Sequence, residues 1–524
     1  MITFINNKFF IVFFAPFLLG ALTILGFAPY NLTFINFLTF SALLILISII
    51  KKKTQAKYRK KKSNRYFFYL GCAFGFGFFL FGNYWIAISL TFDEMFKVLI
   101  PFAIILIPLF LSLFFGLATL LTGPFFEKNI SFILFFSLVF SIFEFLRGYL
   151  FTGFPWNLIA YTLSWSTESI QVLSLIGTYS LSLILITLFC TPVLFFGNKI
   201  IKKNIIFVLV LSIIFIGNYK YGSNKIKKNI YNFDQNISVK IVSPNFSLED
   251  YMMQTEDSQL KRLIKISDPN KDKKTLFIWP EGIFYESNLQ DIKIYKDLFF
   301  NNFSENHLIA LGINNFSNLD SQGNSKYYNS LVIVNHKLEI ISIYNKINLV
   351  PFGEFLPFES FLSKLGLKTV AQGYNSFSKG NSRSIINLGK EFNNKLILPL
   401  ICYEIIYSGD IKNENQLPDL VINISEDAWF GKSIGPDQHF TKAIYRAVEE
   451  GVFIARSANK GSSGFIDPNG KSLKILDRSE SGNVELNMPN FFRSTFYSFY
   501  GNKIFVLIIL IYIFLIFIFK KIKI

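Results

Sequence analysis

This 524-residue sequence predicts an α-helical membrane domain of about eight spans joined to a mixed α/β domain. Three observations predict it. Hydrophobic residues make up 51% of the chain and charged residues only 17%, which is too apolar for an ordinary soluble protein. Seven apolar stretches precede residue 220, and an eighth lies at 504–519. From about residue 237 the pattern changes to short β-branched runs alternating with polar helical stretches.

The apolar stretches lie near 9–28, 33–50, 66–90, 98–122, 130–147, 170–197 and 205–219. A helix rises ~1.5 Å per residue, so ~20 residues cross the hydrocarbon core. The seventh and eighth are short by that rule, and snorkelling Lys202, Lys203, Lys220, Lys520 and Lys521 at their ends extend their reach. The first stretch is too long for a signal-peptide core, and more spans follow, so it reads as a retained helix. Lys51–Arg65 carries nine Lys or Arg and no acid, the mark of a cytoplasmic loop. Gly197–Asn204 and the tail Lys520–Ile524 are basic too, whereas Thr91–Lys97 holds Asp93 and Glu94 and suits the other side. With the N-terminus inside, seven spans deliver residues 220–500 to the periplasmic face, and the eighth returns the C-terminus to the cytoplasm. If the seventh stretch does not span, that domain lands in the cytoplasm instead. The net charge of +17 is explained by these loops and needs no nucleic acid. The expected division is 1–220 membrane domain, 221–495 periplasmic domain, and 496–524 last span and basic tail.

In the polar half, Ile237–Val242, Thr275–Trp279, Leu308–Ile313, Leu331–Val334, Leu338–Tyr344, Lys395–Ile401, Leu420–Ile424 and Phe453–Arg456 read as strands. Thr255–Ile266 and Gln438–Val452 read as helices, and Asp467-Pro-Asn-Gly470 as a hairpin turn. The alternation predicts a buried sheet covered by helices.

Three segments bring polar residues to strand ends. Leu276-Phe-Ile-Trp-Pro-Glu281 ends on a carboxylate. Tyr344-Asn-Lys346 is followed by Leu349-Val-Pro-Phe-Gly-Glu354. Leu396-Ile-Leu-Pro-Leu-Ile-Cys402-Tyr-Glu404 runs a strand straight into a cysteine, as in a nucleophile elbow. A thiol is mostly protonated at neutral pH. Glu281 is placed to remove that proton, and Lys346 to hold the thiolate and a developing oxyanion. Such a set needs no histidine, and this chain has only three: His307, His336 and His439. Cys72 and Cys190 fall in apolar runs and read as core residues. Three cysteines exclude a disulfide framework, and no HExxH or paired CxxC signals a metal.

The order Glu281, Lys346, Cys402 and the words around them resemble the nitrilase (carbon–nitrogen hydrolase) superfamily. The whole chain resembles the apolipoprotein N-acyltransferase family within it. The matching words are Gly26-Phe-Ala-Pro29, Glu144-Phe-Leu-Arg147-Gly, Thr152-Gly-Phe-Pro-Trp156, Tyr344-Asn-Lys346, Leu349-Val-Pro-Phe-Gly-Glu354, Cys402-Tyr-Glu404, Asn423-Ile-Ser425, Asp427-Ala-Trp-Phe430 and Gly435-Pro-Asp-Gln-His439. Two positions depart from the pattern: Val242-Ser-Pro-Asn245 lacks a Gln-Gly before its Asn, and Asn459-Lys460-Gly461 replaces Asn-Asn-Gly. The resemblance implies an αββα sandwich and a two-step acyl transfer. A phospholipid, with phosphatidylethanolamine the expected donor, gives its acyl chain to Cys402 as a thioester. The N-terminal amine of a diacylated apolipoprotein then accepts it. By matching positions Glu281 is base and then acid, Lys346 stabilises the tetrahedral intermediate, and Glu354 supports that Lys or relays protons. The Tyr403 N–H contributes to an oxyanion hole and Glu404 anchors the turn. A complete site in one chain suits a monomer, with no cofactor and no metal.

Other signals have plainer alternatives. Glu144 and Arg147 share a face of the fifth span, either as a structural pair with Arg147 snorkelling outward or as lipid head-group contacts. Trp156 and Trp165 read as interfacial anchors or as the lining of a lipid entry route. Asp427 and Trp429 line a pocket or support the fold, and His439 reads as a structural hydrogen-bonder. Gly431-Lys-Ser-Ile-Gly435 fits GxSxG, but its Ser433 follows no strand and no Asp and His succeed it in order. The rival functions are a membrane-tethered nitrilase-type amidase, in which water takes the acyl group, and a non-catalytic scaffold or transporter. The scaffold reading predicts a decayed triad, and the triad is whole.

Overall fold

The computed structural model describes the chain except residues 1–6, 56–59, 93, 197–201, 317–325, 358–359, 361–375, 410, 412–416, 491–493 and 522–524. Asp93 and parts of all three basic stretches thus lie outside the described residues. Two compact units emerge. One comprises 1–91, 97–228 and 499–524, and the other 92–96 and 229–498.

The first unit is a membrane bundle. Among the described residues seven helices are long and apolar enough to cross a bilayer. They correspond to α2 (Ile35–Gln55), α3 (Lys60–Asn83), α4 (Ile100–Thr122), α5 (Ile130–Tyr149), α6 (Leu173–Phe189), α7 (Lys202–Lys228) and α13 (Lys503–Lys521). Around α1 (Ala15–Thr23) the first stretch forms a shorter apolar helix, Phe10–Gly26. The seventh stretch departs from expectation in the other direction. Its helix continues past Tyr219 to Lys228, and the added polar turns make it one of the longer helices rather than a short one.

Helix α5 ends at Tyr149, and Phe151 at φ 55° and Gly153 at φ 78° turn the chain back into the bundle. The following segment is not α-helical, yet Trp156 through Leu163 are buried. Backbone groups withdrawn from water need partners. Arg147 supplies some, donating from Nη1 to the carbonyls of Phe154 and Trp156. Glu144 Oε1 accepts from the Ile159 N–H at 3.3 Å, and Ser182 Oγ accepts from Ala160 N–H at 3.0 Å. Arg147 is therefore turned inward, only 1% exposed, and does not snorkel: its guanidinium satisfies the carbonyls of the broken helix. Trp156 is likewise no interfacial anchor, being 1% exposed with its ring against Trp85. Trp165 is exposed.

In the second unit two sheets carry the core. The seven-stranded sheet has the order β13-β1-β2-β4-β5-β6, with β3 paired to β4. Its strands are β1 (Phe233–Ser243), β2 (Thr275–Ile278), β3 (Phe284–Asn288), β4 (His307–Phe316), β5 (Tyr327–Asn335), β6 (Ile340–Asn345) and β13 (Gly482–Pro489). The six-stranded sheet has the order β12-β11-β10-β9-β8-β7. It comprises β7 (Ile386–Asn387), β8 (Leu396–Ile401), β9 (Leu420–Glu426), β10 (Phe453–Asn459), β11 (Ser463–Ile466) and β12 (Ser472–Leu476).

Period-two alternation builds the layers. Leu276, Ile278, Leu308, Ala310, Leu331 and Ile333 face Ile397, Ile401, Ile422 and Ile424 of the other sheet in one inter-sheet core. Their neighbours Phe277, Ile309, Leu311, Val332 and Val334 face outward to Leu260 and Leu263 of α9 (Glu256–Ser267) and Phe299 of α10 (Lys296–Asn302). Helix α11 (Gly435–Glu450) packs on β10 and β11, and α8 (Leu248–Met253) and α12 (Phe496–Tyr500) are short helices. The layers are thus helix, sheet, sheet, helix: an αββα sandwich. Every strand expected from sequence is present, as are both helices, and Asp467–Gly470 turns β11 into β12. The sequence reading missed β3, β7, β11, β12 and β13.

Candidate active site

Parallel β2 and β4 run side by side, and just past the end of β2 the chain turns at Gly282. That turn presents Glu281, 8% exposed. Lys346 follows the end of β6, its N–H bonded to the Asn329 carbonyl of β5. The Pro351–Phe355 turn, with Phe352 at φ 62°, folds Glu354 back beside them. Lys346 Nζ lies 3.3 Å from Glu281 Oε1 and 2.9 Å from Glu354 Oε1. Asn329 Nδ2 donates to the same two oxygens, at 2.7 and 2.8 Å. The remaining oxygens accept backbone N–H groups: Glu281 Oε2 from Glu426 at 3.0 Å and Glu354 Oε2 from Val350 at 2.8 Å.

Cys402 is the residue where β8 stops. Its φ of 47° is left-handed, and a 3-10 turn, Cys402–Ile406, follows it. A non-glycine held there marks a strained elbow of the kind found at nucleophiles. Glu404 keeps the elbow in place. Its Oε2 accepts from Ile401 N–H, while Oε1 takes Tyr344 Oη at 2.7 Å and the N–H groups of Ile347 and Asn348. Arg383 adds an ion pair at 3.2 Å. One carboxylate thus ties the cysteine turn to the loop carrying Lys346. Tyr403 opens the turn behind the cysteine, its ring edge-on to Tyr407.

Electrostatics follow from this geometry. Burial opposes charge on Lys346, but Glu281 and Glu354 outweigh it and hold its pKa well above the usual lysine value. Burial, then the Glu281 charge, pushes the Cys402 thiol well up despite Lys346 and a hydrogen bond with Ser425. At neutral pH Cys402 is therefore a thiol, with the charged Lys346 ammonium beside it. Burial, with Glu281 and Asp427 nearby, raises the Glu426 carboxyl to about 8.

Asp427 is buried, accepting from Ser425 Oγ at 2.7 Å and pairing with Arg456 at 2.7 Å and His439 at 3.0 Å. Arg456 and His439 overcome the cost of burial and hold it well below the usual carboxylate range. Trp429 is partly exposed, its ring 5.1 Å from Phe92. Ser433 caps the turn into α11, donating to the Phe430 carbonyl and accepting from Gly435 N–H. Glu144, Arg147 and Trp156 belong to the membrane unit described above. Among the described residues no cluster of three or more His, Cys, Asp or Glu is placed to hold a metal.

Asn329, Arg383, Glu426 and Arg456 were not singled out from sequence. Asn329 stood just outside a strand expected at Leu331–Val334, and Glu426 sits between two matching words. Those positions were their only signals.

Residues 19–191 match the apolipoprotein N-acyltransferase N-terminal domain family, and residues 299–488 match the carbon-nitrogen hydrolase family. An apolipoprotein N-acyltransferase of Rickettsia prowazekii is 33% identical over 494 residues, covering 93% of this chain and 94% of that protein. The chain belongs to the apolipoprotein N-acyltransferase family. A Brucella melitensis apolipoprotein N-acyltransferase is 30% identical, with 91% of this chain and 89% of that protein covered. A solved nitrilase-superfamily structure from Saccharomyces cerevisiae aligns with 51% of this chain and 94% of its own, at a TM-score of 0.35 and 17% identity. Within the apolipoprotein N-acyltransferase frame, Lys346 and Cys402 lie inside the hydrolase match and Glu281 lies ahead of it.

Proposed function

We propose that this membrane protein acylates the N-terminal amine of diacylglyceryl-cysteine on apolipoproteins, taking the acyl chain from a phospholipid through a thioester on Cys402. The observation that carries the reading is the Glu281–Lys346–Glu354 cluster, tied together by shared hydrogen bonds beside an elbow cysteine. Glu281 takes the thiol proton as sulfur attacks the ester carbonyl. Lys346 and the Tyr403 N–H receive the oxyanion. Collapse breaks the ester C–O bond, and Glu281 returns the proton to the leaving lysophospholipid oxygen. The acceptor amine then attacks the thioester. Its proton passes to Glu281 and on to the departing sulfur, leaving an amide and a restored thiol. Glu354 keeps Lys346 in place, and Glu404 keeps the elbow. The expected donor is phosphatidylethanolamine and the expected setting the bacterial inner membrane, with the site facing the periplasm. Both substrates are lipids, which accounts for a hydrolase-like unit carried on a membrane bundle.

Intact-mass spectrometry of the full chain after incubation with phosphatidylethanolamine tests this. The expected result is an acyl-sized gain that hydroxylamine removes and that Cys402→Ala lacks. A folded protein that gains no adduct yet hydrolyses a small amide would replace the lipid-donor reading with a membrane-tethered amidase.

A further inference from the structure

His439 plays no part in the chemistry above, yet it sits in the interior next to the nucleophile. Its ring is fully buried in α11. Nε2 lies 3.2 Å from the carbonyl oxygen of Cys402, and Nδ1 lies 3.0 Å from Asp427 Oδ1 and 3.2 Å from Arg456 Nη2. Arg456 is anchored in turn on Asp427 Oδ2 and on Asn423 Oδ1 of β9. Ser425, which hydrogen-bonds the Cys402 thiol, also donates to Asp427 Oδ1. A closed ring of contacts therefore runs from the cysteine carbonyl through His439 and Asp427 to the cysteine sulfur.

We propose that His439 is a positioning residue that donates its Nε2–H to the Cys402 carbonyl and so holds the left-handed elbow in its attacking geometry. The proposal rests on Cys402 being the nucleophile. A carbonyl faces Nε2, so that nitrogen carries a proton, while Nδ1 lies between the Arg456 guanidinium, a donor, and the Asp427 carboxylate, an acceptor. Burial and the Arg456 charge, helped by Lys442 and opposed by Asp427, lower the ring's proton affinity. The ring points at the carbonyl and not at sulfur, which excludes it as the base for the thiol. Cys402 at φ 47° is a conformation L residues rarely adopt, so the backbone needs an external constraint. The hydrogen bond supplies one at the Cys402 carbonyl, as Glu404 does at the Ile401 N–H.

The test follows the burst of p-nitrophenol from a p-nitrophenyl ester with the full-length protein, Cys402→Ala serving as the blank. This probe requires only an acylatable cysteine, so its result is separate from whether a phospholipid is the natural donor. His439→Ala should slow the burst about 10- to 100-fold at saturating ester with KM little changed, as expected when reacting atoms are misaligned. His439→Gln carries an amide N–H where Nε2 was and should recover most of the rate. The acid limb of the pH–rate profile should superimpose for all three proteins. A parent-like burst in His439→Ala would overturn the proposal. So would a Gln variant as slow as Ala with both melting early, which marks a packing role. A displaced acid limb in both variants would make His439 a titrating catalyst instead.

Discussion

Lys346 faces two carboxylates with a single positive charge, and Asn329 makes that arrangement tolerable. Its amide donates to the same two oxygens without adding charge, so neither acid is left unpartnered. Burial, then the Glu281 charge, keeps the neighbouring Cys402 thiol protonated. Glu426 reports the same crowding. Asn459, Ala428 N–H and Tyr251 Oη all donate to its carboxylate, yet burial and the adjacent Glu281 and Asp427 raise it to about 8. A carboxyl whose pKa is raised on folding favours the fold when protonated. That contribution is complete below the ordinary carboxyl value of 4.5 and is lost as pH climbs through about 8. Glu426→Gln removes the loss. Thermal unfolding in detergent should therefore show the variant gaining on the parent between mildly acidic and alkaline pH, by roughly 1–3 kcal/mol after allowing for partial exposure. A constant difference across that range would mean that Glu426 does not titrate as described. At this scale most of the candidate site is legible in the sequence. Glu281, Lys346, Cys402, Glu354 and Glu404 stand in recognisable words, whereas Asn329, Arg383 and Arg456 matter through partners distant in sequence that no local pattern reveals.

Among the elements, the ends of β2, β6 and β8 do the placing, and their spacing is set by close backbone packing. Gly312 in β4 shows how close. A Cβ there would lie 2.7 Å from Glu281 Cα and 3.0 Å from Ile424 Cδ1 of the opposing sheet. Backbone cannot yield as a side-chain tip can, so Gly312→Ala must shift Glu281 itself. Acyl transfer should fall at least about tenfold through misplacement of the base, at a cost of roughly 1–3 kcal/mol in stability. Ester burst kinetics and thermal unfolding measure the two effects. Unchanged acylation would show that Glu281 tolerates the displacement. The strands in this inner region were legible because each alternates apolar residues over two buried faces. The missed strands β11 and β12 are short, β7 has two residues, and β3 and β13 are less buried, Phe284–Asn288 and Gly482–Pro489. Their pairing is decided by neighbours, not by their own pattern. In the membrane unit the same limit hid the buried return segment after α5, whose partners Arg147 and Glu144 read from sequence as a structural pair with Arg147 snorkelling outward or as lipid head-group contacts.

For the whole molecule, the side of the membrane on which residues 229–498 lie follows from counting spans, and the count should begin at the basic stretch between α2 and α3. Positive charge keeps short loops cytoplasmic. Counted from that stretch, α3 is expected to lead out, α4 in, α5 out, α6 in and α7 out, which puts Lys202 and Lys203 at the start of α7 on the inner side as the rule requires. On this count the unit that follows α7 is expected on the outer side, with α13 returning the chain to Lys520 and Lys521. The short first helix, Phe10–Gly26, does not enter this count: whether it crosses decides only where the N-terminus lies. The 27-residue length of α7 matters far more, because the sequence alone left that span open and the opposite parity would put the site in the cytoplasm. Cysteine-accessibility labelling in intact cells distinguishes the two. In a Cys72→Ser, Cys190→Ser, Cys402→Ser background, a single Ser479→Cys in the catalytic unit should react with a membrane-impermeant maleimide without lysis. A single Thr54→Cys in the basic stretch Lys51–Arg65 should react only after lysis. Reversal of that pair would place the nucleophile on the inner face and remove the periplasmic reading, while leaving the chemistry at Cys402 untouched.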